Sequence, residues 1–246
     1  MTYYLFERDL TSEHVSYHYC FLDYQKVSFH PKSKIQKDYD HIYNILANEL
    51  DNVHGMRTFH KAITPQNKFI ETPYFHLSVN GIDEQEYQLI NSAFGLNTKH
   101  RYSYFTKSMI DIGKRTDFKC GFLLGEFNNI EHEMKQDAID LAKTLGGGTY
   151  NVLYAFDFDE NGKVIDDNIN VELLPNYSDE TFLNTKKILT ECFPHINKTL
   201  FDKYEHMFDG YYPTKFHFHF KVKLYKGQKP TVKFYRTYNS KNPYIQ

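Results

Sequence analysis

The sequence predicts an α+β fold: a ten-stranded antiparallel β-barrel surrounded by helices, in one domain spanning 1–246. Two observations predict it. Strand-like and helix-like patterns recur as strand–strand–helix, about five times over, with a period of roughly 40–50 residues. The strand patterns also have one apolar and one polar face, and the intervening helices carry apolar stripes that must be buried on something. Packing those stripes on the apolar strand faces turns the polar faces inward. At ten strands the interior is wider than side chains readily fill, so a solvent-accessible lumen follows. The same pattern fits an open sheet with helices on one side and water on the other. Two features favour the lumen: the polar face is rich in Tyr and His, and the repeat runs through the chain without an obvious edge strand.

The elements follow in order. HVSYHYCFLDY (14–24) reads as a strand and KVSFH (26–30) as its hairpin partner. In 37–50, Tyr39, Ile42, Tyr43, Leu46 and Leu50 form one helical face. MRTFHKAI (56–63) and KFIETPYFHLSVN (68–80) read as strands, DEQEYQLINSAF (83–94) as a short helix, and RYSYFTKS (101–108) and FKCGFLLGEF (118–127) as strands. Helix 129–146 carries Ile130, Met134, Ala138, Leu141 and Leu145 on one stripe, with Gly146 as its stop. TYNVLYAFDFDE (149–160) and DNINVELLP (167–175) flank a turn at Asn161-Gly162. Helical patterns at 179–193 and 197–208 are divided by Pro194. The closing strands are 215–225 and 231–239.

The strictest alternation is KFHFHFKVKLY. Phe216, Phe218, Phe220, Val222 and Leu224 fall on one face; Lys215, His217, His219, Lys221, Lys223 and Tyr225 fall on the other. With Lys233 and Tyr235 on the last strand, His217, His219, Lys221 and Lys223 are expected to face the lumen. So are Asn168, Asn170 and Glu172, and Tyr74, His76 and Ser78.

The 246 residues are 41% hydrophobic and 24% charged, with a formal net charge of −2, an ordinary globular balance that does not imply nucleic-acid binding. Cys20, Cys120 and Cys192 are too few and too scattered for a disulfide framework or a zinc ribbon. No metal-ligand motif stands out. The N-terminus carries charge early, no signal peptide is evident, and no apolar run approaches about 18 residues. A cytoplasmic, non-membrane protein is expected.

Four rival signals carry little weight. His217-Phe218-His219 has the His–hydrophobic–His spacing of rolling-circle nucleases, with Tyr235 or Tyr238 as nucleophile, but the spacing is short and the chain Tyr-rich. The triplets His14-Val15-Ser16 and His76-Leu77-Ser78 are expected by chance among 13 His. DFDENG (157–162) opens like a calcium loop, yet Asn168 stands where Glu is needed. Gly146-Gly147-Gly148 lacks a P-loop ending.

The order of elements resembles the aromatic prenyltransferase barrel (ABBA fold). Within it, the chain is similar to the small peptide prenyltransferases of cyanobactin-type pathways. The resemblance is carried by 154–194, by FHFKVKLYKGQKPTVKFYRTYN and by FKCGFLLGEFNNIEHEMKQDAIDLA, and covers roughly 100–240. It implies a transferase that binds an allylic diphosphate, dimethylallyl or geranyl, with Mg2+, and modifies a peptide side chain or a small aromatic acceptor. It implies diphosphate binding by Lys119, His217, His219, Lys221, Lys223, Lys233 and Tyr235, and a lumen lined by Tyr74, His76, Asn170 and Tyr225. Lys221-Val-Lys223-Leu-Tyr225 resembles the basic-x-Lys-x-Tyr strand of the fold. Glu172 is the inward carboxylate that would take the proton; a structural ion pair with a lysine is the other reading of it. The chain departs from the family at Gly121 and Leu123, where His and Arg would stand, and HVSYHYC offers Ser16 and His18 where an early-strand Glu would serve as base. The non-enzyme alternative is a barrel that binds a hydrophobic, anionic or peptide ligand without turnover.

Overall fold

The computed structural model describes residues 2–11, 15–21, 55–63, 69–79, 83–108, 118–146, 150–159, 161–175, 179–199 and 213–239. Side chains are described at these positions except 2–8, 15–21, 55–63, 69–78, 93, 94, 107, 108, 150, 175, 179, 182, 213–218 and 236–239.

The strands are β1 (Thr2–Asp9), β2 (Val15–Phe21), β3 (Gly55–Ile63), β4 (Phe69–Ser78), β5 (Tyr104–Ser108), β6 (Phe118–Phe122), β7 (Tyr150–Phe158), β8 (Val164–Pro175), β9 (Pro213–Tyr225) and β10 (Thr231–Asn239). Each pairs antiparallel with its sequence neighbour, and β1 also pairs with β10, so the strand order closes on itself. The described helices are α1 (Glu84–Phe94), α2 (Leu124–Phe127), α3 (Lys135–Thr144) and α4 (Asp179–Cys192).

The first strand of the sheet is β1, whose residues show no clear strand alternation in the sequence. Its partner β2 was expected to form a hairpin with 26–30; instead Val15–Phe21 pairs with β1 on one side and β3 on the other. The expected helix at 37–50, the strand at 26–30 and most of the helix at 197–208 lie outside the described residues. Strand 118–127 ends early: after Phe122 the backbone turns into α2, whose Phe127 stacks flat on Tyr154 at 4.4 Å. Helix 129–146 starts only at Lys135.

The core lies between strands and helices. Ala138 and Ala142 of α3, Leu189 of α4 and Phe127 of α2 are buried with Phe156, Phe158, Ile169, Val171, Leu173, Phe220, Val222 and Phe234. The small alanines let α3 approach the sheet closely while the aromatic rows fill the remaining space. The opposite strand face is therefore turned away from the helices. One turn depends on glycine. Gly162, in the β7–β8 hairpin, has φ +76°, and a Cβ there would collide with the carbonyl of Asn97. The Asn97 amide donates to the Asn161 carbonyl (2.9 Å), so the segment after α1 is tied to that hairpin.

Candidate functional site

The face turned from the helices gathers charge. In β8–β9 register, Glu172 opposes Lys221, Asn170 opposes Lys223 and Asn168 opposes Tyr225. In β9–β10 register, Lys221 opposes Lys233 and His219 opposes Tyr235. Lys233 in turn opposes Asp9 of β1. Directly opposed residues share a face, so Glu172, Lys221, Lys233 and Asp9 form one cross-strand row, acid–base–base–acid.

Within that row the Lys221 ammonium lies 3.2 Å from Glu172 and 3.5 Å from the Tyr235 hydroxyl, to which it donates. His219 stacks on Tyr235 at 4.1 Å. Lys221 also sits over the Tyr235 ring (5.4 Å), and Lys223 over the Tyr225 ring (4.8 Å). On the neighbouring strands Lys119 pairs with Asp157 at 3.5 Å. Asn170 donates to the Ala155 carbonyl (2.9 Å), bracing β8 against β7.

These contacts set the protonation states. Burial pushes the Glu172 carboxyl up, but Lys221, His219 and hydrogen bonds from Tyr104 and Lys221 outweigh it and hold it below the usual carboxylate range. Glu172 is ionised at neutral pH. Burial lowers the Lys119 ammonium to about 8; Asp157 opposes this, while Lys221 and Lys223 add to it.

The structure thus brings together Lys119, Asn170, Glu172, His219, Lys221, Lys223, Tyr225, Lys233 and Tyr235. The side chains of Tyr74, His76 and His217 lie outside those described; their backbone positions are on β4 and β9. Glu172 is found in an ion pair, the second of the two readings its sequence context allowed.

Two groups were missed. Asp157 belongs to the polar row of AFDFDE, whose alternation with Tyr154, Phe156 and Phe158 carried the signal. Tyr104 opposes Gly121 in register, and its ring lies over that glycine; a Cβ at 121 would fall 2.6 Å from ring atoms Cδ1 and Cζ. The space left by Gly121 is filled from the next strand, and the Tyr104 hydroxyl reaches Glu172. Nothing along the sequence announces a contact that depends on cross-strand register. The register of β1 adds a third position: Glu7 opposes Tyr235 on one side and Ser16 on the other.

No group of three metal-ligating side chains occurs among the described residues. Asp157 and Glu172 are each already paired with a lysine, so this donor set does not fit a magnesium ion held by the protein. Cys120 is buried and Cys192 exposed, both as free thiols. No described helix is long and apolar enough to cross a membrane.

No family model and no curated protein matches the sequence. Solved structures do. The 5-dimethylallyltryptophan synthase from Streptomyces coelicolor aligns over 100% of this chain and 82% of its own, at 8% identity and a TM-score of 0.57. Its complex with DMASPP and Trp gives 9% and 0.56, over 100% of this chain and 80% of its own. The 6-dimethylallyltryptophan synthase from Micromonospora olivasterospora, also with DMASPP and Trp, aligns over 96% and 81% at 11% identity and a TM-score of 0.59. At such identities the likeness is one of fold.

Proposed function

We propose that this protein is a prenyltransferase, moving an isoprenyl group from an allylic diphosphate, dimethylallyl or geranyl, to an aromatic acceptor. The acceptor is a small aromatic or a side chain of a ribosomal peptide, and the reaction is cytoplasmic. One observation carries the reading: Lys119, Lys221, Lys223 and Lys233 share one face with Tyr225 and Tyr235, within a fold common to dimethylallyltryptophan synthases.

Lysines and His219 give charge-assisted hydrogen bonds to the diphosphate oxygens. The faces of Tyr225 and Tyr235, which already lie beneath ammonium groups, can instead stabilise an allyl cation. The C–O bond to the diphosphate breaks, a bond to the acceptor ring forms, and the ring proton leaves to a carboxylate. Glu172 fits that last step even though its carboxyl is held low, because a cationic ring intermediate is a far stronger acid than any carboxylic acid. Glu7, on the first strand and opposite Tyr235, is the second candidate for the same step. Magnesium would enter only as a counter-ion of the diphosphate.

The second reading, a barrel that binds a hydrophobic anion or a peptide without turnover, is favoured by one observation. Lys119 and Lys221 are already paired with carboxylates before any ligand arrives. Mass spectrometry separates the readings. Tyr-, Trp-, His- and Arg-containing peptides and free aromatics are incubated with the protein, magnesium and dimethylallyl or geranyl diphosphate. A gain of one isoprenyl mass supports transfer; no gain, with no thermal protection by either diphosphate, removes it. The variant Glu172→Gln is expected to remain folded and lose turnover. Retained turnover would shift the base to Glu7.

A further inference from the structure

His132 lies in the segment between α2 and α3, and its side chain is fully buried. Its ring centre stands 5.0 Å from that of Phe156 on β7, tilted by 60°. The Met134 amide, immediately before α3, donates to His132 Nδ1 (3.2 Å). Only a ring nitrogen without a proton can accept, so this bond places the proton of the neutral imidazole on Nε2. Nε2 is itself buried and has no hydrogen-bond partner among the described residues. The bond from Met134 cannot survive a proton on Nδ1.

The charges around the ring come from three places. Asp166 of β8 stands 3.8 Å from the same Nδ1, and its carboxylate also accepts from the Glu133 amide (3.4 Å). Asp167 of β8 and the Glu133 side chain face the ring as well. Lys226, in the turn between β9 and β10, pairs with the Glu133 carboxylate. Burial lowers the affinity of the ring for a proton and prevails over Asp166, the Asn168 backbone, Glu133 and Asp167, all of which favour the charged form. That backbone is close by but not hydrogen-bonded to Nε2. The Asp166 side chain is 39% exposed, so its attraction is screened by water and does not repay the burial of a charge. Asp166 and Asp167 also begin the irregular stretch of β8 that leads to Asn168, opposite Tyr225 in the site.

We infer that His132 is a pH-sensitive latch that fastens the start of α3 to β7 and β8, closed while its imidazole is neutral and released by protonation. A proton on Nδ1 turns the acceptor of the latch into a donor. The Met134 N–H then loses its partner, and a charge lies against the Phe156 ring. Moving the segment around His132 outward gives that charge water. An opened ring binds the proton more tightly than the buried one. Closure is therefore fully present above about pH 6.5 and is lost as pH falls below it, by up to about tenfold per pH unit until the ring titrates in place. The latch works alike whether the site transfers a prenyl group or only binds a ligand.

NMR on the whole protein tests this. Long-range 1H–15N spectra at about pH 7.5 are expected to show the His132 proton on Nε2; a proton on Nδ1 overturns the latch. The ring is expected to titrate below about 6.5, and titration at or above that value overturns it too. Hydrogen exchange at the Met134 amide, corrected for the intrinsic pH dependence of exchange, is then followed from about pH 7.5 to about pH 5. Its protection is expected to fall by up to about tenfold per pH unit below about 6.5. The Glu86 amide is the internal reference, since its cap at the start of α1 is Asp83 and holds no histidine. In His132→Asn, whose Oδ1 stands where Nδ1 stood and does not titrate, the fall at Met134 is expected to vanish. Protection at Met134 that ignores pH in the wild type overturns the latch, as does an equal fall in the variant. Equal falls at Met134 and Glu86 overturn it as well, and that comparison needs only the wild type should the variant fail to fold.

Discussion

At the scale of single residues, Gly121 carries more of the site than its size suggests. It stands in a basic, polar row where a side chain would be expected, and the Tyr104 ring occupies that space from the neighbouring strand. Both partners are buried, and an aromatic ring has only two rotatable bonds with which to move aside. Gly121→Ala is therefore expected to destabilise the fold by about 1–3 kcal/mol through overpacking, measured by urea unfolding. Removing the obstacle should remove the cost, so Tyr104→Ala/Gly121→Ala should be no less stable than Tyr104→Ala alone. An alanine at 121 that costs nothing in the wild-type background would mean that the ring does not rest there. The pair also shows why Glu172 is ionised: one of the hydrogen bonds that offset its burial comes from the tyrosine that Gly121 admits.

At the scale of elements, local chemistry sets the boundaries, and this decides what was legible in the sequence. Helix α1 starts at a reciprocal capping box: the Glu86 amide donates to Asp83 Oδ1 (2.8 Å) and the Asp83 amide to Glu86 Oε2 (3.2 Å). Asp83→Ala is expected to cost about 1 kcal/mol and Asp83→Ser much less, as shifts in the urea midpoint at constant slope; equal losses for both would show that the cap is not what holds the helix start. That helix could be read from its cap and its apolar spacing alone. Strands β8, β9 and β10 could be read too, because Ile169/Val171/Leu173 and Phe220/Val222 must meet helices while the residues between them must not. Strand β1 could not. TYYLFERD places Tyr3 and Leu5 on one face and Tyr4 and Phe6 on the other, so it has no polar row to betray its direction. Helix α2 was hidden differently: Leu123 and Leu124 prolong an apolar run that reads as strand, and both are exposed. The ion pairs follow the same division. The faces of Glu172 and Lys221 came from alternation, but their pairing came from register, which depends on bulges that the alternation does not encode.

At the scale of the whole molecule, the described charges on the site's face nearly balance before any ligand arrives. Lys119, Lys221, Lys223 and Lys233 share their face with Asp9, Asp157 and Glu172. In the prenyl-transfer reading proposed above, a diphosphate brings several negative charges into this balance, and a folded interior compensates such a charge by binding a proton or a cation. Among the described residues, Lys119 can take up that proton. Burial lowers its ammonium to about 8, and the groups that face it are Asp157 on β7, Glu172 on β8, and Lys221 and Lys223 on β9. A bound anion beside it favours the charged form and raises that value. The protonated protein is then the form that binds, and affinity falls as pH rises through about 8, by up to roughly tenfold per pH unit until the value in the complex is reached. Calorimetric titration with inorganic pyrophosphate between about pH 7 and pH 9.5 checks this against Lys119→Met. The variant is expected to bind more weakly at pH 7 and to lack the step near 8. Titration of pyrophosphate itself is common to both proteins and cancels in their ratio. A ratio that stays constant across the range would mean that Lys119 keeps its proton throughout or lies apart from the anion. The charge for the diphosphate would then have to come from Lys221, Lys223 and Lys233 alone.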